Sequence, residues 1–181
     1  MSEAFDPDRI LRTLRDHDVD FIVVGGLSAR ARGAMRPTMD VDVVPATDLT
    51  NLERLANALI ELNSRLRVAG LSDDEAGQLP VRLDALTLSS FGSSTWMTDA
   101  GALDVLVELR DVDGDRHDFA DLMTRSDAVD FGGIVVMVAA IEDVIASKEY
   151  AGRGKDLEAL PELRRLRDEG PQRDRGAATN G

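Results

Sequence analysis

Apolar positions recur along this chain with two periods, and the switches between them mark out its elements. Ile10, Leu11 and Leu14 share one helical face. Asp6-Pro7 before them is an N-cap residue followed by proline at the first helical position. Phe21-Ile22-Val23-Val24 is a β-branched run ending at two glycines, which predicts a buried strand. Leu27 to Arg32 fits a short helix closed by Gly33, and Asp40 to Val44 a second strand stopped by Pro45. Asp48 or Thr50 caps the next helix, whose buried stripe is Leu52, Leu55, Ala56, Leu59 and Leu62. The pattern is poor from Arg65 to Met97: Gly70 to Leu79 reads as an acidic loop, and Val81 to Phe91 fits a helix or a strand.

Regular patterning returns with Leu103-Asp104-Val105-Leu106-Val107, a third apolar strand. Phe119 to Met123 predicts a short helix, and Ile134 to Val138 a strand behind Gly132-Gly133. Ala140 to Tyr150 and Asp156 to Arg167 read as two helices separated by Gly152-Arg153-Gly154. Alternation of strands and helices predicts an α/β or α+β fold around a single sheet. The expected organisation is one domain over residues 1–168, helical from about 140, and a polar, disordered tail over 169–181.

Length and composition bound the possibilities. A chain of 181 residues with 43% hydrophobic residues suits one domain with a sizeable core. No apolar stretch approaches the roughly 18 residues of a spanning helix, and the N-terminus shows no signal-peptide pattern. The absence of cysteine excludes disulfides and thiolate zinc sites. A cytoplasmic protein with no membrane contact is the default expectation. The formal net charge of −13 argues against extensive nucleic-acid binding. Local contacts stay open through Arg30, Arg32 and Arg36, through Lys148, Arg153 and Lys155, and through Arg164, Arg165 and Arg167.

Three aspartates interrupt apolar strands: Asp40, Asp42 and Asp104. In a strand, residues i and i+2 face the same way, so Asp40 and Asp42 project side by side. Such neighbouring like charges raise each other's pKa. A hard divalent cation removes the penalty, since Mg²⁺ is held by carboxylates together with the phosphates of its substrate. An adjacent strand would bring Asp104 to the same patch, where it could bind the ion or act as base. The competing reading makes Asp40 and Asp42 the wet side of an edge strand, with Val41, Val43 and Val44 covering the other face.

Other residues are weighed in the same way. Gly25-Gly26 lets a phosphate approach a helix N-terminus or is simply a turn, and it lacks the Gly-Lys-Ser/Thr of a Walker loop. Ser28 either contacts phosphate or caps its helix. Lys148, Arg153, Lys155 and Asp156 suit a triphosphate; alternatively Lys148 answers a helix dipole and Asp156 is an N-cap. His17 and His117 lack ligand spacing and read as surface residues. Trp96 belongs to the core or a site rim.

Gly25-Gly26, Arg36, Thr38, Asp40-x-Asp42, Gly101-x-x-Asp104 and Lys148-x-x-x-x-Arg153-x-Lys155-Asp156 together resemble the nucleotidyltransferase superfamily that includes DNA polymerase β. They resemble most its AbiEii-type toxin branch, over roughly Val19 to Leu166. The resemblance implies a mixed β-sheet with flanking helices and Mg²⁺ (or Mn²⁺) on Asp40, Asp42 and Asp104. It also implies nucleotide binding by Gly25, Gly26, Ser28, Arg36, Thr38, Lys148, Arg153, Lys155 and Asp156. The expected activity is transfer of an NMP group from an NTP to a hydroxyl, on a tRNA end, a small molecule such as an antibiotic, or a protein side chain. Toxin members of that branch pair with an antitoxin protein. The chain departs from the pattern in carrying Gly26 where many relatives have Ser, and in lacking an obvious tRNA-binding extension. A non-catalytic binding module and a phosphoester hydrolase are the alternative readings.

Overall fold

The computed structural model describes residues 5–72, 75–76 and 78–170. The predicted tail beyond Gly170 and part of the predicted acidic loop lie outside them. Asp6 caps the first helix by accepting from the Arg9 N–H at 3.0 Å, and α1 (Pro7–Asp16) follows. The chain then runs through β1 (Phe21–Val24), α2 (Gly25–Ala31), β2 (Asp40–Pro45), α3 (Leu49–Glu61) and the short β3 (Arg65–Leu66). Asp48, not Thr50, caps α3, accepting from the Asn51 N–H at 3.0 Å. Beyond the partly described loop come α4 (Ala85–Ser90), β4 (Ser93–Thr98) and β5 (Gly101–Leu106). A small hairpin of β6 (Leu109–Arg110) and β7 (Arg116–His117) precedes α5 (Phe119–Met123), β8 (Asp127–Asp130) and β9 (Val135–Val138). The C-terminal helices are α6 (Ile141–Ala151) and α7 (Gly154–Glu169). Gly152, in the left-handed region at φ +60°, ends α6 and lets the chain turn directly into α7.

Seven strands form one sheet in the order β3-β4-β5-β2-β1-β9-β8. The pairings β5/β2 and β1/β9 are parallel and the other four antiparallel. This is the mixed sheet with flanking helices that the resemblance implied. Alternation along the strands divides the interior in two. Val41, Val43, Leu103 and Val105 pack with α1, α3 and α4 on one face. Ile22, Val24 and Val44 pack with Leu122 of α5 and with Val144, Ile145, Leu160 and Leu163 of the C-terminal helices on the other. Val44 therefore shares the face of Asp42, two residues before it, and does not cover the opposite one.

Several sequence expectations shift here. The first turn of α2 contains both glycines. The ambiguous 81–91 segment resolves into α4, capped by Asp84 on the Thr87 N–H at 2.8 Å. Polar strands β4 and β8 and the β6/β7 hairpin gave no apolar signal. Trp96 is a core residue, 1% exposed, with its indole N–H on Ser94 Oγ at 2.9 Å. Among the described residues no helix is long and apolar enough to cross a membrane.

Candidate active site

The site begins with strand register. β2 and β5 run parallel with Asp42 directly beside Asp104, and Asp40 sits two residues earlier on the same pleat. One carboxylate oxygen from each of Asp40, Asp42 and Asp104 lies within 4.8 Å of the others. The three expected acids therefore converge. β2 lies between β5 and β1, so the edge-strand reading of Asp40 and Asp42 fails: this is an interior strand whose acids face a cavity.

The neighbouring turn is shaped around one of those acids. β1 pairs with β2 so that Val24 opposes Asp42, which places the next residue, Gly25, against the Asp42 side chain. A Cβ on Gly25 would come within 2.6 Å of Asp42 Cγ, and Gly25 also holds φ +61°, a conformation suited to glycine. The Gly26 N–H favours the ionised form of the Asp42 carboxylate. A Cβ on Gly26 would approach Thr38 Oγ1 to 2.6 Å, so the departure from Ser at this position makes room for Thr38. The Thr38 hydroxyl in turn donates to Asp40 Oδ1 at 2.9 Å. Both the glycine turn and Thr38 thus hold the acids in place.

Crowding is visible in the electrostatics. Burial first, then the charges of Asp40 and Asp104, push Asp42 up to about 7 against the lowering effects of the Gly26 N–H and Lys148. Asp104 Oδ1 is buried without a hydrogen-bond partner. Buried polar atoms are rarely left unpaired, and an orphan at a cluster of acids suits a ligand. Oxygen donors only, packed closely and electron-rich, are the donor set that Mg²⁺ or Mn²⁺ takes. The residues present fit the expected ion.

A cavity of about 380 Å³ opens above the acids. Gly25, Gly26, Arg36, Thr38, Lys148, Arg153, Lys155 and Asp156 all line it with the three aspartates. Ser28 does not: it is fully buried, and its hydroxyl lies 3.3 Å from the Ala139 carbonyl, while the residue preceding α2 is Val24. It neither touches the cavity nor caps the helix, which corrects both expectations for it. Asp156 is not an N-cap either. Arg153 precedes α7, and Asp156 sits inside its first turn, paired with Lys148 at 3.2 Å and Arg153 at 2.6 Å.

Two acids escaped the sequence reading. Glu162 accepts from the Met35 N–H at 2.8 Å, and Glu158 pairs with Arg36 at 3.1 Å. Together they fasten the loop between α2 and β2 to α7. The signal was present as Lys155, Glu158 and Glu162 at i, i+3 and i+7, which lie along one side of a helix. Val144, Ser147, Lys148 and Ala151 show the same spacing on α6, and all four line the cavity.

No known family model matches the chain, and no curated protein sequence matches it significantly. Solved structures do. The lincomycin-bound lincosamide antibiotic adenylyltransferase LnuA superposes with a TM-score of 0.57 at 13% identity, covering 90% of this chain and 99% of that one. The antibiotic-resistance factor ANT(2'')-Ia superposes with a TM-score of 0.54 at 13% identity, covering 90% and 88%. Its complex with adenylyl-2''-tobramycin gives 0.53 at 15% identity, covering 90% and 93%. This chain has the nucleotidyltransferase fold.

Proposed function

We propose that this protein is a divalent-metal-dependent nucleotidyltransferase that moves an NMP group from an NTP to a hydroxyl of a small-molecule acceptor. The observation that carries the reading is the convergence of three carboxylates, with one orphaned oxygen, beneath a cavity walled by Lys148, Arg153 and Lys155. Fold alone hosts many activities, so the weight rests on this site. Asp40, Asp42 and Asp104 would hold Mg²⁺ or Mn²⁺, which when bound neutralises phosphate charge and stabilises the attacking and leaving oxygens. Arg153, Lys155 and Lys148 meet the β- and γ-phosphates, and their charge favours departure of pyrophosphate. Asp104, whose Oδ1 has no hydrogen-bond partner, would either share the ion or take the proton of the acceptor hydroxyl. A bond forms between that hydroxyl oxygen and the α-phosphorus as the bond to the pyrophosphate oxygen breaks.

The acceptor follows from charge and space. A net charge of −13 opposes the phosphate backbone of a tRNA, while the cavity suits a nucleotide and a compact partner. The fold relatives named above are antibiotic adenylyltransferases. The AbiEii-type assignment, with a tRNA end as acceptor and an antitoxin partner, is the second reading, favoured only by the motif resemblance.

One experiment separates them. The protein is incubated with each labelled NTP and Mg²⁺ beside either total RNA or a panel of hydroxyl-bearing small molecules, aminoglycosides and lincosamides included. Label is expected on a small molecule and lost in Asp40→Ala and Asp42→Ala, with thermal unfolding still cooperative. Label on RNA would favour the second reading. Activity retained in both variants, or no metal-dependent NTP affinity by calorimetry, would refute the enzyme assignment altogether.

A further inference from the structure

Asp156 is the least exposed charged residue among the described residues, at 2%. Its place in the first turn of α7 suits an acid, because the helix dipole is positive there. Burial works against its charge, but hydrogen bonds from Arg153 and Lys148 outweigh it and hold the carboxyl below the usual range. It is therefore a permanent anion at neutral pH. Oδ1 is taken by Lys148 Nζ and Oδ2 by Arg153 Nε. An acid so placed, with both oxygens engaged, does not bind a phosphate of its own sign.

One partner, Lys148, lies on α6 and the other, Arg153, is the residue just before α7, and both feel the aspartate cluster. Lys148 interacts with Asp42, and Arg153 with Asp42 and Asp104. Lysine carries its charge on a flexible stem, and the aspartate cluster lines the same cavity as Lys148. Were Lys148 to settle on Asp42, it would cancel the charge that a metal ion needs.

We propose that Asp156 is a positioning residue that keeps Lys148 and Arg153 away from the three aspartates, leaving these open to a divalent cation while presenting both cations to a triphosphate. This inference rests on the nucleotidyltransferase reading. It predicts that one substitution weakens two different ligands for one electrostatic reason. It also predicts that removing the released lysine partly restores one of them.

The test is calorimetric titration of the full chain with Mn²⁺ alone, and with a non-hydrolysable NTP analogue in saturating Mn²⁺. Asp156→Asn is expected to weaken Mn²⁺ binding by about 10- to 100-fold, the range for groups that orient a site from outside it. It should weaken the analogue as well. The double variant Asp156→Asn with Lys148→Met is expected to regain at least about threefold in Mn²⁺ affinity over the single variant, a partial return because Arg153 stays released, and a gain of the size that coupling between contacting residues reaches. Its affinity for the analogue should stay low. The double variant also removes both members of the Lys148–Asp156 pair, which avoids a lone buried charge. If the single variant does not fold, the double is compared with Lys148→Met, against which the released Arg153 should weaken Mn²⁺ binding and an unchanged affinity overturns the inference. Unchanged Mn²⁺ affinity in the folded single variant, or no recovery in the double, overturns the inference while leaving the enzyme reading intact. Absence of Mn²⁺ binding in the wild type overturns both.

Discussion

Replacing Asp42 by asparagine removes one charge from the crowded centre of the site while keeping the side chain's shape. In the unfolded chain this carboxyl titrates at its ordinary value of 3.8; in the fold, burial and then Asp40 and Asp104 raise it to about 7. The folded protein thus holds the proton more tightly. That contribution to stability is fully present below about pH 4, declines as pH climbs, and is gone above about pH 7. At about 1.36 kcal/mol per pH unit the interval corresponds to about 4 kcal/mol, an upper figure because the surroundings relax around a buried charge. The amide of the Asp42→Asn variant has no such titration. In chelator-treated samples, urea unfolding followed by circular dichroism should therefore show the variant gaining on the wild type as pH rises. The gain should be smallest near pH 4 and largest near pH 8. Mg²⁺ should reverse the order at high pH, because a ligand that binds only the folded wild type stabilises it by mass action. A stability difference that does not vary with pH would refute the claim that ionised Asp42 is held at a cost.

Two further substitutions probe what surrounds the acids. Gly25→Ala forces a side chain against Asp42 at a φ of +61°; it should cost about 1–3 kcal/mol in urea unfolding and abolish calorimetric Mn²⁺ binding. Asn51 is 1% exposed and bonds the Asp20 N–H at 2.7 Å, the Asp20 carbonyl at 2.9 Å and the Ala46 carbonyl at 2.8 Å. Asn51→Ala should lower stability by about 2–4 kcal/mol through stranded backbone groups, with the Mn²⁺ affinity of the folded protein unchanged. Equal loss of ion affinity there would mean that the site depends on the whole fold and not on its local contacts.

Periodicity and motif spacing determined much by themselves. The helices over 7–16, 49–61 and 119–123 and the apolar strands β1, β2, β5 and β9 follow from where apolar side chains recur, since each element must bury one face. Asp40, Asp42 and Asp104 stood out because a charge inside an apolar strand conflicts with burial. Composition placed no constraint on what the structure decided next. The parallel register of β2 and β5 sets Asp42 beside Asp104, and pairing with β1 brings Gly25 against Asp42. Such distances depend on which strands become neighbours, and no local pattern encodes that. Strands β4 and β8 were illegible because each carries few apolar side chains, Trp96 and Met97 in β4 and Ala128 and Val129 in β8, and the pairing of their backbones with β5 and β9 is not written locally. The placements of Ser28 and Asp156 depend on the tertiary structure in the same way. A hydroxyl and a carboxylate look alike in sequence whether they face a ligand or the interior, and only packing shows Ser28 turned to the Ala139 carbonyl and Asp156 at the cavity wall with both oxygens paired.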